Sequence, residues 1–577
     1  MRWQRRADAP DPSQVSSLCA SAGLDPLPAR ILVARGISNA DAARRFLTPS
    51  LADLHSPFAM SGMKKALERL QTAIAGKEKV FIYGDYDVDG TVAIVILKTA
   101  IELAGGVADF HIPHRIRDGY GMKDSVIEQA ARDGVRLVVS VDTGIRAFAA
   151  AEAARRAGVD LIVTDHHLPH PEEGVPEAFA VLNPNQPGCA YPSKSLCGAG
   201  VAFKMAQALL EKMGRERLLP SFLKMVALAT IADAVPLEGE NRVFARLGLE
   251  GLRSPANAGL KALMEVAALD GRRPLTTGDV AFRLAPRINA AGRMQIAHDV
   301  VDLFSTRDEA RARELATRLD QLNAERQQEE RRIVEEAFQR LEEDRALRES
   351  YCLVVDGEGW HRGVIGIVAT RVVERYHRPT LVIAREGEEA HGSGRSIHGF
   401  QLLDALESCR DLFTRYGGHA YAVGFALPSA RVAELRAAVD GHARARLTED
   451  SFVPVLKYDD ELALDDVTPA LYRSLAPLAP FGIGNPEPVF VARGVRILQP
   501  PQVIKEKHVK LRVAQPGAGD KIRRAFDALG WRMAEKVVEL GLASGDMVDL
   551  AFTLDENSHP EFGGLQLTVA DVARPCV

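Results

Sequence analysis

The chain has 577 residues, enough for about two to four domains, with an ordinary globular composition and a net charge of −5 at a sequence pI near 6.3. That balance excludes a generally basic nucleic-acid wrapper, so any surface for a phosphate backbone has to be local. Six cysteines without Cys-x-x-Cys spacing exclude a disulfide framework and a zinc knuckle, and fit reduced thiols in a bacterial-type cytoplasm.

The start, Met1-Arg-Trp-Gln-Arg-Arg-Ala-Asp8, is basic, but no apolar core of about 7–15 residues follows it, which argues against a secretory signal. No apolar stretch of about 18 residues reads as a membrane span, and the expectation is a cytoplasmic protein. Residues 1–55 read as a small, mostly helical lead-in. From 56 to 305, apolar strand-like runs alternate with helical segments, the pattern of a parallel α/β domain.

Within that domain lies Phe81-Ile-Tyr-Gly-Asp-Tyr-Asp-Val-Asp-Gly-Thr91. Its first residues read as the end of a buried strand. Asp85, Asp87 and Asp89 follow, then Gly90 for a tight turn, then an apolar helical run from Thr91 to Leu103. Carboxylates this dense repel one another unless a cation sits among them, and oxygen ligands suit magnesium or manganese. A strand followed by a loop and a helix is also where α/β sheets place their ligands.

The pattern recurs. Leu137-Val-Val-Ser-Val-Asp142 ends in an acid and continues into Thr143-Gly144, and Leu161-Ile-Val-Thr-Asp165 runs into His166 and His167. A fourth strand-end candidate is Val226-Ala-Leu-Ala-Thr-Ile-Ala-Asp233. Carboxylates and imidazoles from several strand ends can hold two divalent ions about 3.5–4 Å apart, the arrangement that serves phosphoryl transfer. Taken singly, Asp233 reads more readily as a helix cap and the paired histidines as solvated loop residues; the set of four promotes them.

Two rival motifs are weaker. An EF-hand loop opening at Asp85 would need Glu at its twelfth position, where this chain has Ile96. Asp87-Val-Asp-Gly-Thr91 resembles the haloacid-dehalogenase phosphatase signature, with Asp87 as nucleophile and Asp89 as general acid/base. The late acidic pairs Asp459-Asp460 and Asp465-Asp466 do not end an apolar run, however, and Asp165-His166-His167 is left without a role. That reading stands second among the enzymes.

Thr306 to Ser350, rich in Glu, Arg, Gln and Ala, reads as a solvated connecting helix. A second α/β unit spans 351–447 and carries glycine-rich polar runs: Trp360-His-Arg-Gly363, His391-Gly-Ser-Gly-Arg-Ser396 and Arg415-Tyr-Gly-Gly-His419. Glycines let a phosphodiester approach the main chain, while Arg395 and His419 meet its charge. Residues 448–577 comprise a Pro/Gly-punctuated linker, Pro477 to Pro488, and short alternating segments typical of a small β barrel. There His508, Lys510 and Arg512 share one strand face, with Lys505, Lys507, Arg523 and Arg524 nearby.

These sites in this order resemble the DHH phosphoesterase superfamily and, within it, the RecJ family of bacterial single-strand-specific DNA exonucleases. The likeness runs from about Leu32 to the end and rests on Gly84–Thr91, Ser140–Gly144, Thr164–His167 and Ala229–Asp233. Further matches are Arg283–Arg293, Gly392–Ser396, Gly417–Ala420 and Phe481–Pro488. The resemblance implies a parallel-sheet DHH domain, a smaller α/β DHH-associated domain joined by a long helix, and a C-terminal OB-fold barrel that binds single strands.

It also implies that Asp85, Asp87, Asp142, His166 and Asp233 ligate two divalent ions, Mn2+ or Mg2+, with Asp142 as the bridge. Asp165 and His167 would support the metal shell or the substrate phosphate. Phe81 stands where pyrophosphatase-type relatives place a metal-binding His, so one ion would depend on His166 instead. Arg115, Ser393 and Arg395 are implied as a pocket for a terminal 5′-phosphate, and Arg283, Asn289, Arg293 and His419 as further substrate contacts. The activity implied is 5′-to-3′ exonucleolytic release of mononucleotides from single-stranded DNA. Its setting would be recombination, mismatch repair and base-excision repair, as a monomer beside a helicase and a single-strand-binding protein. A DHH phosphodiesterase for short oligonucleotides or cyclic dinucleotides would share the metal set but lack the barrel, and a non-catalytic scaffold would lack the intact metal set.

Overall fold

The continuous apolar runs of the 56–305 region become strands buried on both faces, as a parallel sheet covered by helices requires. The computed structural model describes residues 1–575 except 116, 118, 120, 272, 294–295, 518–520 and 558–562. Its contacts divide the chain into two units: residues 54–235 with 243–454, and residues 1–53 with 236–242 and 455–577.

In the first unit, five parallel strands are ordered Val107–His111, Lys79–Tyr83, Leu137–Val141, Asp160–Thr164, Ala180–Leu182. Numbered along the chain this is 2-1-3-4-5, and the order reverses between Lys79–Tyr83 and Leu137–Val141. A crevice opens at such a switch point, beyond the carboxyl ends of the strands. The register sets what lies there. Tyr83 pairs with Ser140 and Val141 with Thr164, so Asp85 and Asp142 each stand two residues past a paired position and Asp165 lies beside Asp142. The helices Val88–Leu103 and Gly198–Lys212 are buried on nearly every side and form the apolar backing of this sheet edge.

A 35-residue helix, Glu309–Glu343, leads to a second sheet in the same unit. It is less solvated than its composition suggests. Asn323, Arg326 and Glu330 are buried, Arg326 bonding both neighbours along the helix and Glu330 also accepting from Arg371 at 3.1 Å. In that second sheet Leu353–Glu358 and Thr380–Glu386 are parallel; Glu389–Arg395, Ala422–Pro428 and the exposed edge Arg415–His419 continue it antiparallel.

The other unit is built on a seven-stranded sheet from Asp460 to Ala573, closed by pairing of Phe490–Ile497 with His508–Ala514. Its interior is lined by alternating residues such as Val509, Leu511 and Val513, the inward half of a period-two strand. The first residues of the chain complete this core. Arg2–Arg5 pairs in parallel with Val455–Tyr458, and Val15, Leu18, Ile31 and Leu32 of the amino-terminal helices share one apolar cluster with the barrel. Proline at the first turn and the Asp11 side chain, accepting from Ser13 N–H at 2.8 Å, start the helix Pro12–Ala22. Among the described residues no helix is long and apolar enough to cross a membrane.

Two local expectations are corrected. Val226–Asp233 is not a strand end: Leu219–Ala232 is a helix with Asp233 as its C-cap. A short apolar run carries no periodicity to separate a buried helix from a buried strand, and this helix is apolar on nearly all sides. Gly90 is not in a turn either. It lies inside the helix Val88–Leu103, where a Cβ would stand 2.6 Å from the Asp85 carbonyl oxygen, so close backbone approach is what requires glycine there.

Candidate active site

Three groupings of acids and histidines overlap at the switch point: Asp85, Asp87 and Asp142; Asp142, His166 and His167; Asp89, His166 and Asp233. Within each, one candidate ligand atom per residue lies within 4.8 Å of the others. His166 joins them, its Nε2 standing 3.3 Å from Asp142 Oδ1 and 3.8 Å from both Asp89 Oδ2 and Asp233 Oδ2. Asp142 is 2% exposed and adopts φ 59°, a left-handed conformation that a non-glycine residue holds only when its surroundings over-determine it. Gly198 makes room for it: a Cβ there would meet the Asp142 Cβ at 2.5 Å.

The electrostatics are those of a site built for cations. Burial, then the neighbouring Asp87, pushes Asp85 up to about 8. Burial, then Asp89 and Asp87, does the same to Asp233, also to about 8. Asp87 and Asp142 are raised by burial and by the other carboxylates. Among the described residues Asp85 Oδ1 and Asp142 Oδ1 are buried without a hydrogen-bond partner, a costly arrangement unless a metal satisfies them. The donor set, carboxylate oxygens with imidazole nitrogen, fits Mn2+ or Mg2+.

Asp165 has a different task. Its Oδ1 accepts from the backbone N–H of His166 (2.7 Å) and His167 (3.1 Å) and lies 2.8 Å from His167 Nδ1; its Oδ2 accepts from Ile145 N–H at 2.9 Å. Burial would raise this carboxyl, but the His167 bond and charge, the Ile145 N–H and the His166 charge together outweigh it and hold Asp165 below the usual carboxylate range. Burial would likewise lower His167, and the Asp165 bond, with the negative charges of Asp165, Asp233 and Asp89, instead lifts it to about 9. This is a carboxylate orienting an imidazole, the arrangement that supports metal-binding histidines. Asn183 and Asn185 hold the His167 and His166 carbonyls at 2.9 and 3.0 Å.

Asp87 caps the Val88–Leu103 helix through Gly90 N–H at 3.0 Å, and Asn289 Oδ1 accepts from Val88 N–H at 3.2 Å, so Asn289 braces the acidic loop. Asp89 bonds Gly198 N–H (2.6 Å) and Ala199 N–H (2.8 Å), anchoring the start of the Gly198–Lys212 helix beneath the cluster. Sequence reasoning missed this cap and the Asn183/Asn185 brace because each joins segments distant along the chain.

A second cluster is cationic. Arg293, its Nη1 on the Gly363 carbonyl, is lowered to about 10 by burial and then by Arg115, Arg326 and Arg395. Burial and Arg115 lower Arg395 as well. Arg395 donates to Ser393 Oγ at 3.4 Å, and Arg115 stacks on the Tyr86 ring at 4.9 Å. The structure thus brings Arg115, Arg293, Ser393 and Arg395 together. It does not bring in Arg283, whose guanidinium bonds Asp279 (3.3 Å) and the Ala267 (2.6 Å) and Ala268 (2.9 Å) carbonyls, and His419 lies on the exposed edge strand.

Three family descriptions match this chain: the DHH family N-terminal domain at residues 79–230, the DHHA1 domain at 349–445 and the RecJ OB domain at 458–571. The single-stranded-DNA-specific exonuclease RecJ of Bacillus subtilis is 37% identical over 99% of this chain and 71% of its own length. The Escherichia coli protein of that name is 34% identical over 96% of both. Among solved structures, Thermus thermophilus RecJ in complex with Mn2+ matches with a TM-score of 0.84 and 29% identity, covering 100% of this chain and 80% of that one. Its Mg2+ complex matches with a TM-score of 0.79. The matches favour the exonuclease reading over the haloacid-dehalogenase and small-substrate alternatives.

Proposed function

The chain belongs to the RecJ family of single-stranded-DNA-specific exonucleases, metal-dependent hydrolases of the DHH class, and on that premise we propose that it degrades single-stranded DNA from the 5′ end to 5′-mononucleotides. The observation that carries the reading is the set of buried, partnerless carboxylate oxygens converging with His166 and Asp233. Asp85, Asp87, Asp142, His166 and Asp233 would hold the two ions, Mn2+ or Mg2+, with Asp142 shared between them. When bound, such ions supply a water of lowered pKa and neutralise charge on the oxygens of the reacting phosphate.

The protein's own groups do the rest. Asp165 fixes the ring of His167 through Nδ1, leaving its other nitrogen for the metal shell or the phosphate. Arg115, Ser393 and Arg395 would grip a terminal 5′-phosphate through charge-assisted hydrogen bonds, which accounts for action at a 5′ end. Arg293, with its guanidinium among like charges, gains most from an arriving phosphate. In the barrel, Trp531 is 58% exposed and packs edge-on against His508 at 4.9 Å, beside Ile504, which pairs with His508 across the strands. Lys510 and Arg512 are already paired with Asp527 at 3.0 and 2.9 Å, so stacking on Trp531 with Lys505 and Lys507 alongside supports the barrel's hold on a strand better than charge on the strand face alone.

Cytoplasmic action as a monomer in recombination and repair, beside a helicase and a single-strand-binding protein, belongs to the same reading and rests on the family likeness. The test is digestion of 5′-labelled and 3′-labelled single-stranded DNA, with the matching blunt duplex, in Mn2+ and in chelator. Immediate release of labelled mononucleotide from the 5′-labelled strand alone, abolished by chelator and absent on duplex, is expected. Release first from the 3′ label, or equal attack on duplex, would overturn the assignment.

A further inference from the structure

Tyr86 stands between Asp85 and Asp87, and the main chain around it is pinned. Gly292 of the Ala285–Arg293 helix lies directly on it, where a Cβ would collide with the Tyr86 carbonyl. Asn289 of the same helix takes the Val88 N–H at 3.2 Å, and Asp87 takes the Gly90 N–H at 3.0 Å. The Tyr86 ring therefore rides on a loop with little freedom to shift. Burial, then the Asp85 charge, pushes its hydroxyl up, so the ring stays neutral.

Arg115 follows the strand Val107–His111, which runs beside Lys79–Tyr83. It stands among like charges: its guanidinium lowers both Arg293 and Arg395. A cation in that company needs something to hold it. The common holder, a carboxylate, takes up the same N–H edge that a phosphate needs. Among the described residues no carboxylate forms an ion pair with Arg115; its guanidinium lies over the Tyr86 ring, 4.9 Å from the centroid. An aromatic face attracts the cation through the ring quadrupole and leaves the N–H donors at the edge of the guanidinium plane open. Asp85 and Asp87 also act on Arg115 through space, but their charge is committed to the metal site. The ring is a holder for which no metal competes.

We propose that Tyr86 is the positioning residue for Arg115: its ring seats the guanidinium and leaves the N–H edge free for the terminal 5′-phosphate of the strand. The inference rests on the 5′-end reading above and deepens it. A residue lodged between two metal ligands thereby serves the phosphate pocket.

The test compares kcat/KM on single strands ending in 5′-phosphate and in 5′-hydroxyl, using the full chain. Calorimetry of Mn2+ binding, melting and circular dichroism establish that each variant is loaded and folded. Tyr86→Leu is expected to lower kcat/KM on the phosphorylated strand by about tenfold, the worth of a desolvated cation–π contact, and on the hydroxyl strand by less than about twofold. Its Mn2+ affinity should match the parent. Tyr86→Phe, which keeps the ring and loses the hydroxyl, should keep the parental ratio between the two strands. Tyr86→Leu combined with Arg115→Ala should cost no more than Arg115→Ala alone, since both act on one contact. Tyr86→Met serves if Tyr86→Leu does not fold.

Equal losses on both strands, a Tyr86→Phe protein as impaired as Tyr86→Leu, or losses that add to those of Arg115→Ala would overturn the proposal. A parent protein indifferent to the 5′ group would instead overturn the end-pocket reading. The same pair of variants, compared by affinity for single-stranded DNA in chelator, would then still decide this one: non-additive losses support it, and additive losses or none overturn it.

Discussion

The acidic cluster at the strand ends and the arginine group around Arg293 occupy the same unit, and each lacks what the other has. In the first, burial and mutual repulsion hold Asp85 and Asp233 near 8, so their protonated forms are favoured at neutral pH. In the second, burial and like charge pull Arg293 down to about 10. One collects negative charge that a cation would relieve; the other collects positive charge that a phosphate would relieve. The folded chain therefore carries electrostatic strain at both places, and ligands gain affinity by releasing it. Carboxylates can take up protons when no metal is present, whereas guanidinium groups stay charged and wait for an anion.

Breaking the acidic side should have the largest effect. Asp142→Ala removes the atom shared by two of the three groupings and should lower kcat on single-stranded DNA by about a thousandfold or more, with Mn2+ binding lost in calorimetry. Full activity in a folded Asp142→Ala protein would remove the metal assignment. Arg395→Ala should cost about 10–100-fold in kcat/KM, the worth of a charge-assisted bond to phosphate, and much less on a strand with a 5′-hydroxyl. Equal losses on both ends would move Arg395 out of the end pocket.

Trp531→Ala lies outside both clusters. It should weaken binding of long strands by about fivefold, the lower range for one stacked base, and leave turnover of very short oligonucleotides unchanged. Smaller still is an effect on the chelated protein. Asp85 and Asp233 have folded pKa values above their unfolded ones, so the native state binds more protons than the unfolded state between the two values, and stability falls as pH rises toward 8. His167, raised to about 9, acts in the same direction. Melting of the chelated protein should drop by about a few degrees from pH 5.5 to 8.5 relative to the Mn2+-loaded protein. A gap that narrows with pH would contradict the charge assignment.

Much of the acidic side was readable from residues alone, because a parallel sheet writes its ligand site as short apolar runs ending in acids. Asp85, Asp142 and Asp165 stand at neighbouring strand ends by register, and the structure gathers them with His166 and His167. Asp233 arrives from a helix, which no periodicity in its apolar run revealed. The arginine side was much less legible. Arg115, Arg293, Arg326 and Arg395 come from four separate segments, and only tertiary packing makes them neighbours. Arg283 shows the converse, a residue in a matching motif whose guanidinium is engaged by Asp279 and two carbonyls. The union of residues 1–53 with the barrel had no local signal either, since it depends on apolar residues of short helices finding a distant core.

The measurement that bears most directly on the account is calorimetry of Mn2+ binding at pH 7 in buffers of different ionisation enthalpy, which counts protons released. Carboxyls raised this far must give up their protons to bind metal, so release of at least about two protons per protein is expected, from Asp85 and Asp233 with Asp87 and Asp142 raised beside them, falling toward pH 9. Mn2+ binding with no proton release at pH 7 would mean the acids are already ionised, and the paired-strain account would be wrong.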